Sequence, residues 1–209
     1  RKEFLKFINA QKDWKEFYNF SQSRDFCNLI LKKFEKNWNE LAIKDIQNFE
    51  FSKSIIGYEN RAQRLKKHIL KSNFYISLLD LIQKKEPLSV SFSIATQSGG
   101  YESPPHADSR HKIIAFLIYF DDCENFGELN IHSVKKTTTP EFDNSGYIKS
   151  KVSIFKKIIP KPNTGVLLWN NRRAIHSVPF ISKDIISKRR FIYISIASSR
   201  RLDCWNKII

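Results

Sequence analysis

The chain has 209 residues, enough for one domain with a substantial core and only marginally enough for two, so we predict a single domain over residues 1–209. Hydrophobic residues make up 41% and aromatic residues 13%, which excludes a disordered chain. A formal net charge of +15 is typical of proteins with acidic partners. The lysines are spread along the chain without a compact basic block, however, so charge alone does not indicate nucleic-acid binding.

The sequence also argues against membrane insertion and secretion. No apolar run approaches the roughly 18 residues of a membrane span, and residues 1–14 are charged throughout without a signal-peptide core. The chain starts at Arg1 and contains no Met, so we expect its natural N-terminus to lie further upstream. Cys27, Cys123 and Cys204 are too few and too scattered for a disulfide framework or a cysteine zinc site. We therefore predict a soluble cytoplasmic protein with reduced thiols and no membrane partner; its oligomeric state is not indicated.

The first 87 residues have the pattern of helices that support the rest of the chain. One amphipathic helix is predicted to begin after Ser23, which is placed to cap it. Its apolar positions at helical spacing are Phe26, Leu29, Ile30, Phe34, Trp38 and Leu41. Two further helical stretches run through 65–69 and 75–82, and the second ends before Pro87.

From residue 88 the apolar period changes to two, which is typical of strands. Leu88, Val90, Phe92 and Ile94 alternate with polar or small residues. Further strands are predicted at 113–120, 127–132, 152–155, 165–169 and 191–196, with a surface loop over 135–151. Strands that follow a helical segment predict an α+β fold with a mainly β core over 88–209. The expected architecture is a double-stranded β-helix, or jelly roll, with the N-terminal helices packed on one sheet.

A candidate metal site begins with His106 and Asp108. Because one residue separates them, both side chains leave the same face of an extended segment. His176 follows the predicted strand 165–169 and completes a set of two histidines and one carboxylate. Such a set leaves coordination positions open and suits iron(II) that also binds a keto acid and dioxygen. A lone His-x-Asp pair is most often a surface pair, so it is the conjunction with His176 in a β-rich context that indicates the site.

If the keto acid is 2-oxoglutarate, its far carboxylate needs a cationic partner. Two candidates, Arg189 and Arg190, precede the predicted strand 191–196. Neighbouring residues on a strand face opposite ways, so only one of the two points inward. Arg190 shares its side with Ile192, Ile194 and Ile196, whereas Arg189 shares its side with Phe191, Tyr193 and Ser195. This alternation leaves the choice between the two arginines open.

Over residues 89–198 the sequence resembles the 2-oxoglutarate oxygenases and, among them, the prolyl hydroxylases of the hypoxia-sensing and procollagen type. The pieces that carry the resemblance are His106-Ala107-Asp108, Tyr119-Phe120-Asp121, Gly127-Glu128-Leu129, the run from Leu168 to His176, and Arg190-Phe191. Residues 96–100 and Ile196 depart from the hypoxia-sensing pattern, which has a tyrosine-containing lead before the first ligand and a tryptophan on the last strand.

The resemblance implies His106, Asp108 and His176 as iron ligands, and Arg190 and Tyr119 as partners of the far 2-oxoglutarate carboxylate. An arginine followed at once by an aromatic residue is the family's pattern at this position. The resemblance therefore assigns the inward role to Arg190 and the outward role to Arg189.

The implied activity is that of an iron(II)- and 2-oxoglutarate-dependent dioxygenase, with dioxygen as the second cosubstrate and ascorbate as a further candidate cofactor. It would hydroxylate a C–H bond, in a prolyl or other residue of a protein or peptide, and release succinate and carbon dioxide. Two alternatives stay open. A nucleic-acid demethylase is disfavoured because no aromatic and basic cluster is present to stack an extruded base. A non-catalytic binding module of the same fold is disfavoured by the intact ligand set.

The remaining histidines and loop arginines carry weaker signals. His68, His111 and His132 are predicted to be surface residues. Arg172 and Arg173 precede His176 and suit the entrance to a site as well as a structural ion pair. No substrate-binding residue is indicated.

Overall fold

The fold is described from a computed structural model for residues 2–40, 50–53, 87–109, 111–135, 139–143 and 147–198. Three short helices and a 3₁₀ turn come first: α1 (Lys2–Ala10), α2 (Lys12–Ser21), α3 (Arg24–Lys32) and the turn Glu35–Glu40. Ser23 caps α3 as predicted, because its Oγ accepts a hydrogen bond of 3.1 Å from the backbone N–H of Phe26. The helix ends earlier than its apolar pattern suggested, and Leu29 is exposed. The helical stretches predicted at 65–69 and 75–82 lie outside the described residues.

Nine strands form two sheets within the described residues. They are β1 (Glu50–Lys53), β2 (Pro87–Gln97), β3 (Ser103–His106), β4 (Lys112–Tyr119), β5 (Leu129–Ser133), β6 (Ser153–Ile158), β7 (Gly165–Trp169), β8 (His176–Val178) and β9 (Arg189–Ser198). The larger sheet has the order β1-β2-β9-β4-β7 and the smaller one β3-β8-β5-β6. Among the strands that the structure describes, only β1 and β2 pair in parallel. The prediction of a mainly β core of antiparallel sheets is confirmed.

Like β1, the strands β3 and β8 were not predicted. They are short, and β3 contains Pro104 and Pro105, so neither carries a clear period-two signal. The strand β1 falls within the region that was predicted to be mainly helical. These differences matter for the site, because β3 and β8 carry the two histidines of the predicted metal set.

The helices cover one face of the larger sheet. Phe26, Ile30 and Leu31 of α3 belong to one buried cluster with the row Ile192, Ile194 and Ile196 of β9. Aromatic contacts tie the same layers together: Tyr18 meets Phe92 edge to face at 5.2 Å, and Phe34 stacks on Trp169 at 5.1 Å. The predicted helical layer on one sheet is therefore present in the described residues.

The opposite face of the larger sheet meets the smaller sheet. Leu117, Tyr119 and Phe191 of the larger sheet form a second buried cluster with Leu129 and Val178 of the smaller one. Because side chains alternate along a strand, β9 buries its isoleucines under the helices and turns Phe191 and Tyr193 toward the other sheet.

Two further sequence predictions can be compared with the structure. Cys27 and Cys123 are free and buried, and burial raises the pKa of the Cys27 thiol to about 12; Cys204 lies outside the described residues. No helix in the described part of the chain is long and apolar enough to cross a membrane.

Candidate metal centre and cavity

The structure brings together the three residues predicted to bind a metal. His106 ends β3, Asp108 follows two residues later, and His176 opens the neighbouring strand β8. The strands pair so that the two histidines are directly opposite each other, with ring centroids 4.5 Å apart. One potential ligand atom from each of the three residues lies within 4.8 Å of the other two. The pairing of β3 with β8 thus brings His176 next to His106 and Asp108.

Backbone carbonyls orient both imidazole rings. Nδ1 of His106 lies 2.8 Å from the carbonyl oxygen of Pro104, and Nδ1 of His176 lies 3.0 Å from that of Ala174. A carbonyl can only accept, so each Nδ1 donates to it, and Nε2 is the ring nitrogen left for a metal. Burial, and then the neighbouring His106, lower the pKa of His176, which keeps its ring neutral near pH 7.

Asp108 is held by a lysine and a tyrosine. Lys112 Nζ donates to Asp108 Oδ1 at 2.7 Å and to the Tyr193 hydroxyl oxygen at 2.7 Å, and the Tyr193 hydroxyl donates to Asp108 Oδ2 at 3.4 Å. Burial alone would raise the pKa of the Asp108 carboxyl, but the Lys112 ammonium and the nearby histidines outweigh it, and the pKa is lowered. Asp108 is therefore a carboxylate, the form that binds a metal.

Asn170 fixes the backbone around this carboxylate. It is 2% exposed, and its Nδ2 lies within hydrogen-bond distance of the carbonyl oxygens of Asp108, Ser109 and Lys112, at 3.3, 3.0 and 2.8 Å. A single buried amide thus ties the end of β7 to the turn that carries both Asp108 and Lys112.

A cavity of about 170 Å³ lies between the two sheets, and the three candidate ligands and Arg189 line it. Arg189 is only 1% exposed. Its Nη1 donates to Gln97 Oε1, its Nη2 donates to the Tyr119 hydroxyl at 2.9 Å, and its guanidinium lies over the Phe191 ring at 4.8 Å. Its Nε has no partner, and no carboxylate lies within salt-bridge distance of it among the described residues. The cavity wall therefore contains a buried cation for which the described part of the chain supplies no counter-charge.

The prediction that Arg190 points inward and Arg189 outward is wrong. Arg190 is exposed at the start of β9, where its Nη2 and Nε bind the Asp121 carboxylate at 2.6 and 3.1 Å. The physical reason lies in the isoleucines that share its side of the strand, since they are buried under the helices rather than around the cavity. Tyr119 was predicted to contact the far carboxylate beside Arg190, but it is fully buried against Arg189 and lies behind that residue rather than in the cavity wall.

Gly127 makes room for Arg189. Its φ of +67° is in the left-handed region that favours glycine, and a Cβ at this position would lie 2.8 Å from Arg189 Cδ. The glycine that opens the Gly127-Glu128-Leu129 piece of the sequence is thus required by the close approach of the buried arginine.

The other candidates that the structure describes lie outside the cavity wall. His132 was predicted at the surface, but it is 8% exposed, and its Nε2 lies 2.7 Å from the Ser177 hydroxyl, next to His176 in the chain. Its partner Ser177 alternates along β8 with His176 and Val178, which line the cavity, so His132 is buried on the other face of the smaller sheet. His111 is half-buried, and His68 lies outside the described residues. Arg173 donates to the carbonyl of Lys135 at 3.3 Å.

Sequence reasoning missed Gln97, Lys112 and Tyr193 as wall residues of the cavity. Tyr193 shares the side of β9 that carries Arg189, so alternation would have found it once that side was known. Gln97 pairs with Arg189 across β2 and β9, and Lys112 lies four residues after Asp108. Both signals depend on strand register and turn geometry, which the sequence alone does not specify.

The residues of the cavity fit iron(II). Two imidazole nitrogens and one carboxylate oxygen form the two-histidine, one-carboxylate set typical of iron(II) oxygenases, and the adjoining space leaves coordination positions open. The set has no cysteine sulfur, which a structural zinc site commonly uses.

No family model matches the chain, and no curated protein matches it either. Solved structures resemble it at low identity. HygX from Streptomyces hygroscopicus, with nickel and 2-oxoglutarate bound, is 12% identical over 57% of this chain and 62% of that chain, with a TM-score of 0.36. An oxidoreductase of the 2OG-Fe(II) oxygenase family from Burkholderia pseudomallei is 8% identical over 85% and 82%, also with a TM-score of 0.36.

A structure of Bacillus endospore appendages, described as disulfide-linked pili, is 8% identical over 55% of this chain and 90% of that chain, with a TM-score of 0.30. This chain spans less than two thirds of the length of HygX. Neighbours thus include proteins with iron or nickel and 2-oxoglutarate bound, and others of a different kind. At these identities and TM-scores the likeness does not assign a function, which has to rest on the residues of the cavity.

Proposed function

We propose that this protein is an iron(II)- and 2-oxoglutarate-dependent oxygenase. The proposal is carried by one observation: a two-histidine, one-carboxylate set and a buried arginine line the same cavity. That arginine has no carboxylate partner among the described residues. A buried cation is costly unless an anion pairs with it, so Arg189 indicates an anionic ligand. A ligand that also reaches an open metal position must carry a second donor group, which 2-oxoglutarate does.

Each residue has a distinct part in this proposal. His106, Asp108 and His176 hold the metal, and Arg189, in the cavity wall, pairs with the far carboxylate of 2-oxoglutarate. Tyr119 positions Arg189 from behind. When bound, iron(II) supplies the activation of dioxygen that couples decarboxylation of 2-oxoglutarate to oxidation of a C–H bond.

The sheet topology supports the proposed jelly-roll architecture. From β2 onward the strands alternate between the larger and the smaller sheet, except for the consecutive pair β5 and β6. In a double-stranded β-helix, strands alternate between two facing sheets in this way. The proposed metal site then lies between the sheets, where β3 and β8 pair.

Joint binding of metal and cosubstrate tests the function. Cobalt(II) and 2-oxoglutarate together should raise the melting temperature by more than the sum of their separate effects, because each completes the other's site. Glutarate, which has both carboxylates but no keto group, is the matched control and should show no dependence on the metal. With iron(II), the protein should convert 2-oxoglutarate to succinate. Equal stabilisation by 2-oxoglutarate and glutarate would refute the proposal. Succinate formation measured with and without ascorbate tests whether ascorbate is a cofactor.

We further propose, on the sequence resemblance, a prolyl or other residue of a protein or peptide as the substrate. A proline-containing peptide should stimulate succinate formation and gain the mass of one oxygen atom. If methylated single-stranded nucleic acid stimulates turnover and no polypeptide does, the demethylase alternative takes its place.

A further inference from the structure

Lys112 gives the cavity more positive charge than the proposed reaction requires. The charged residues in the described cavity wall are Asp108, Lys112 and Arg189, so the wall has a formal charge of +1 when the histidines are neutral. An iron(II) dication and a 2-oxoglutarate dianion cancel each other. The wall therefore keeps its net positive charge when both are bound, in a partly buried space where an unbalanced charge is costly.

The surplus charge lies at Lys112. Arg189 is paired with the far carboxylate of 2-oxoglutarate under the proposed function, whereas Asp108 has to serve two cations, the metal and the Lys112 ammonium 2.7 Å away. A lysine has three N–H donors, and Asp108 and Tyr193 account for two of those on Lys112. The side chain is 25% exposed and forms part of the cavity wall, so a ligand in the cavity can contact it.

We propose that Lys112 Nζ binds a carboxylate of the primary substrate, so that the site selects an organic acid or an acidic residue over its neutral analogue. The inference rests on the proposed function and adds the substrate class to it. Tyr193 positions the ammonium: its hydroxyl accepts from Nζ, and its ring lies 5.0 Å from Nζ. The substrate carboxylate would balance the surplus charge and occupy the space next to the metal.

The test compares acids with their amides, which have nearly the same shape without the charge. The compounds are titrated into the complex of the protein with cobalt(II) and 2-oxoglutarate, and binding is followed in the visible spectrum of the cobalt. The three pairs are hexanoate and hexanamide, N-acetylproline and N-acetylprolinamide, and N-acetylaspartate amide and N-acetylasparagine amide. A hydrogen bond to a charged group makes binding about tenfold tighter or more. We therefore expect at least one acid to bind about tenfold more tightly than its amide, and the responding pair distinguishes a small acid from an acidic residue.

Variants locate the effect. Lys112→Met, at saturating cobalt, should abolish the preference for the acid. Lys157→Met is the matched control, because it removes an exposed lysine of β6 that lies outside the cavity wall, so it should retain the preference. The comparison in the unchanged protein needs no variant and is decisive even if Lys112→Met folds poorly.

Three results would overturn the inference: no acid is preferred in the unchanged protein, the preference survives Lys112→Met, or Lys112→Met weakens 2-oxoglutarate binding while no acid is preferred. The last result would assign Lys112 to the cosubstrate. These outcomes differ from failure of the proposed function, in which 2-oxoglutarate leaves the cobalt spectrum unchanged and the inference fails with it.

Discussion

Replacing Arg189 by Met is expected to weaken 2-oxoglutarate binding steeply, while the same change at Arg190 has little effect. Arg189 is 1% exposed and is part of the cavity wall, so without it a carboxylate bound there would lose its cation at a largely buried position. Removing one partner of a buried pair costs roughly 3 to 5 kcal/mol. At about 1.4 kcal/mol per factor of ten, the half-saturating concentration should rise by about two to four decades.

The paired variant Arg190→Met is a sharp control, because the two positions are neighbours and the substitution is the same. Arg190 binds the Asp121 carboxylate in solvent, where an ion pair contributes little. Its loss should leave the half-saturating 2-oxoglutarate concentration nearly unchanged. Arg189→Lys adds a third point, since an ammonium keeps the charge but cannot grip a carboxylate through two donors.

The assay is succinate formation against 2-oxoglutarate concentration, with calorimetric titration of 2-oxoglutarate into the cobalt(II) protein as a second readout. The melting temperature of each variant shows whether the fold is retained. Arg189→Met should fold, because replacing a buried charge by an apolar side chain of similar length is often neutral for stability. A steep rise in Arg190→Met with a small one in Arg189→Met would refute the assignment.

Further predictions concern the metal, the core and pH. The variants His176→Ala and Asp108→Glu should each fold and bind cobalt(II) about tenfold more weakly or worse, as measured by titration. Losing a metal ligand should cost at least as much affinity as losing a residue that only orients a ligand. Retained cobalt(II) affinity would exclude the substituted residue as a ligand. Phe92→Ala should lower the free energy of unfolding in urea by about 3 to 5 kcal/mol, because the ring is fully buried against α2, whereas Phe155→Ala, at a ring 76% exposed, should change it little. Burial lowers the pKa of His132 in the folded protein, so its contribution to stability is present above about pH 6.5, the ordinary value for histidine, and is lost as pH falls. The free energy of unfolding should therefore fall less on acidification in His132→Gln than in the unchanged protein, and an equal fall would contradict this cause.

The sequence predicted the metal set because its signals are local or follow the order of strands. His106 and Asp108 share a face in any extended segment, and the apolar alternation that precedes and follows them indicates the β context. The cap at Ser23 and most of the strands were likewise found from patterns a few residues long. Such patterns survive folding because they reflect backbone geometry that does not depend on distant parts of the chain.

The tertiary structure decided which side of each strand faces the cavity. Alternation showed that Arg189 and Arg190 point in opposite directions, but not which sheet face the helices cover. Covering the isoleucine side of β9 buries the most apolar area, and this places Arg189 inside and leaves Arg190 in solvent. The contact between Lys112 and Asp108 depends in the same way on the turn after Asp108, which the side chain of Asn170 holds from a different strand. These features arise from long-range packing, in which the residues that decide the outcome are far apart in sequence.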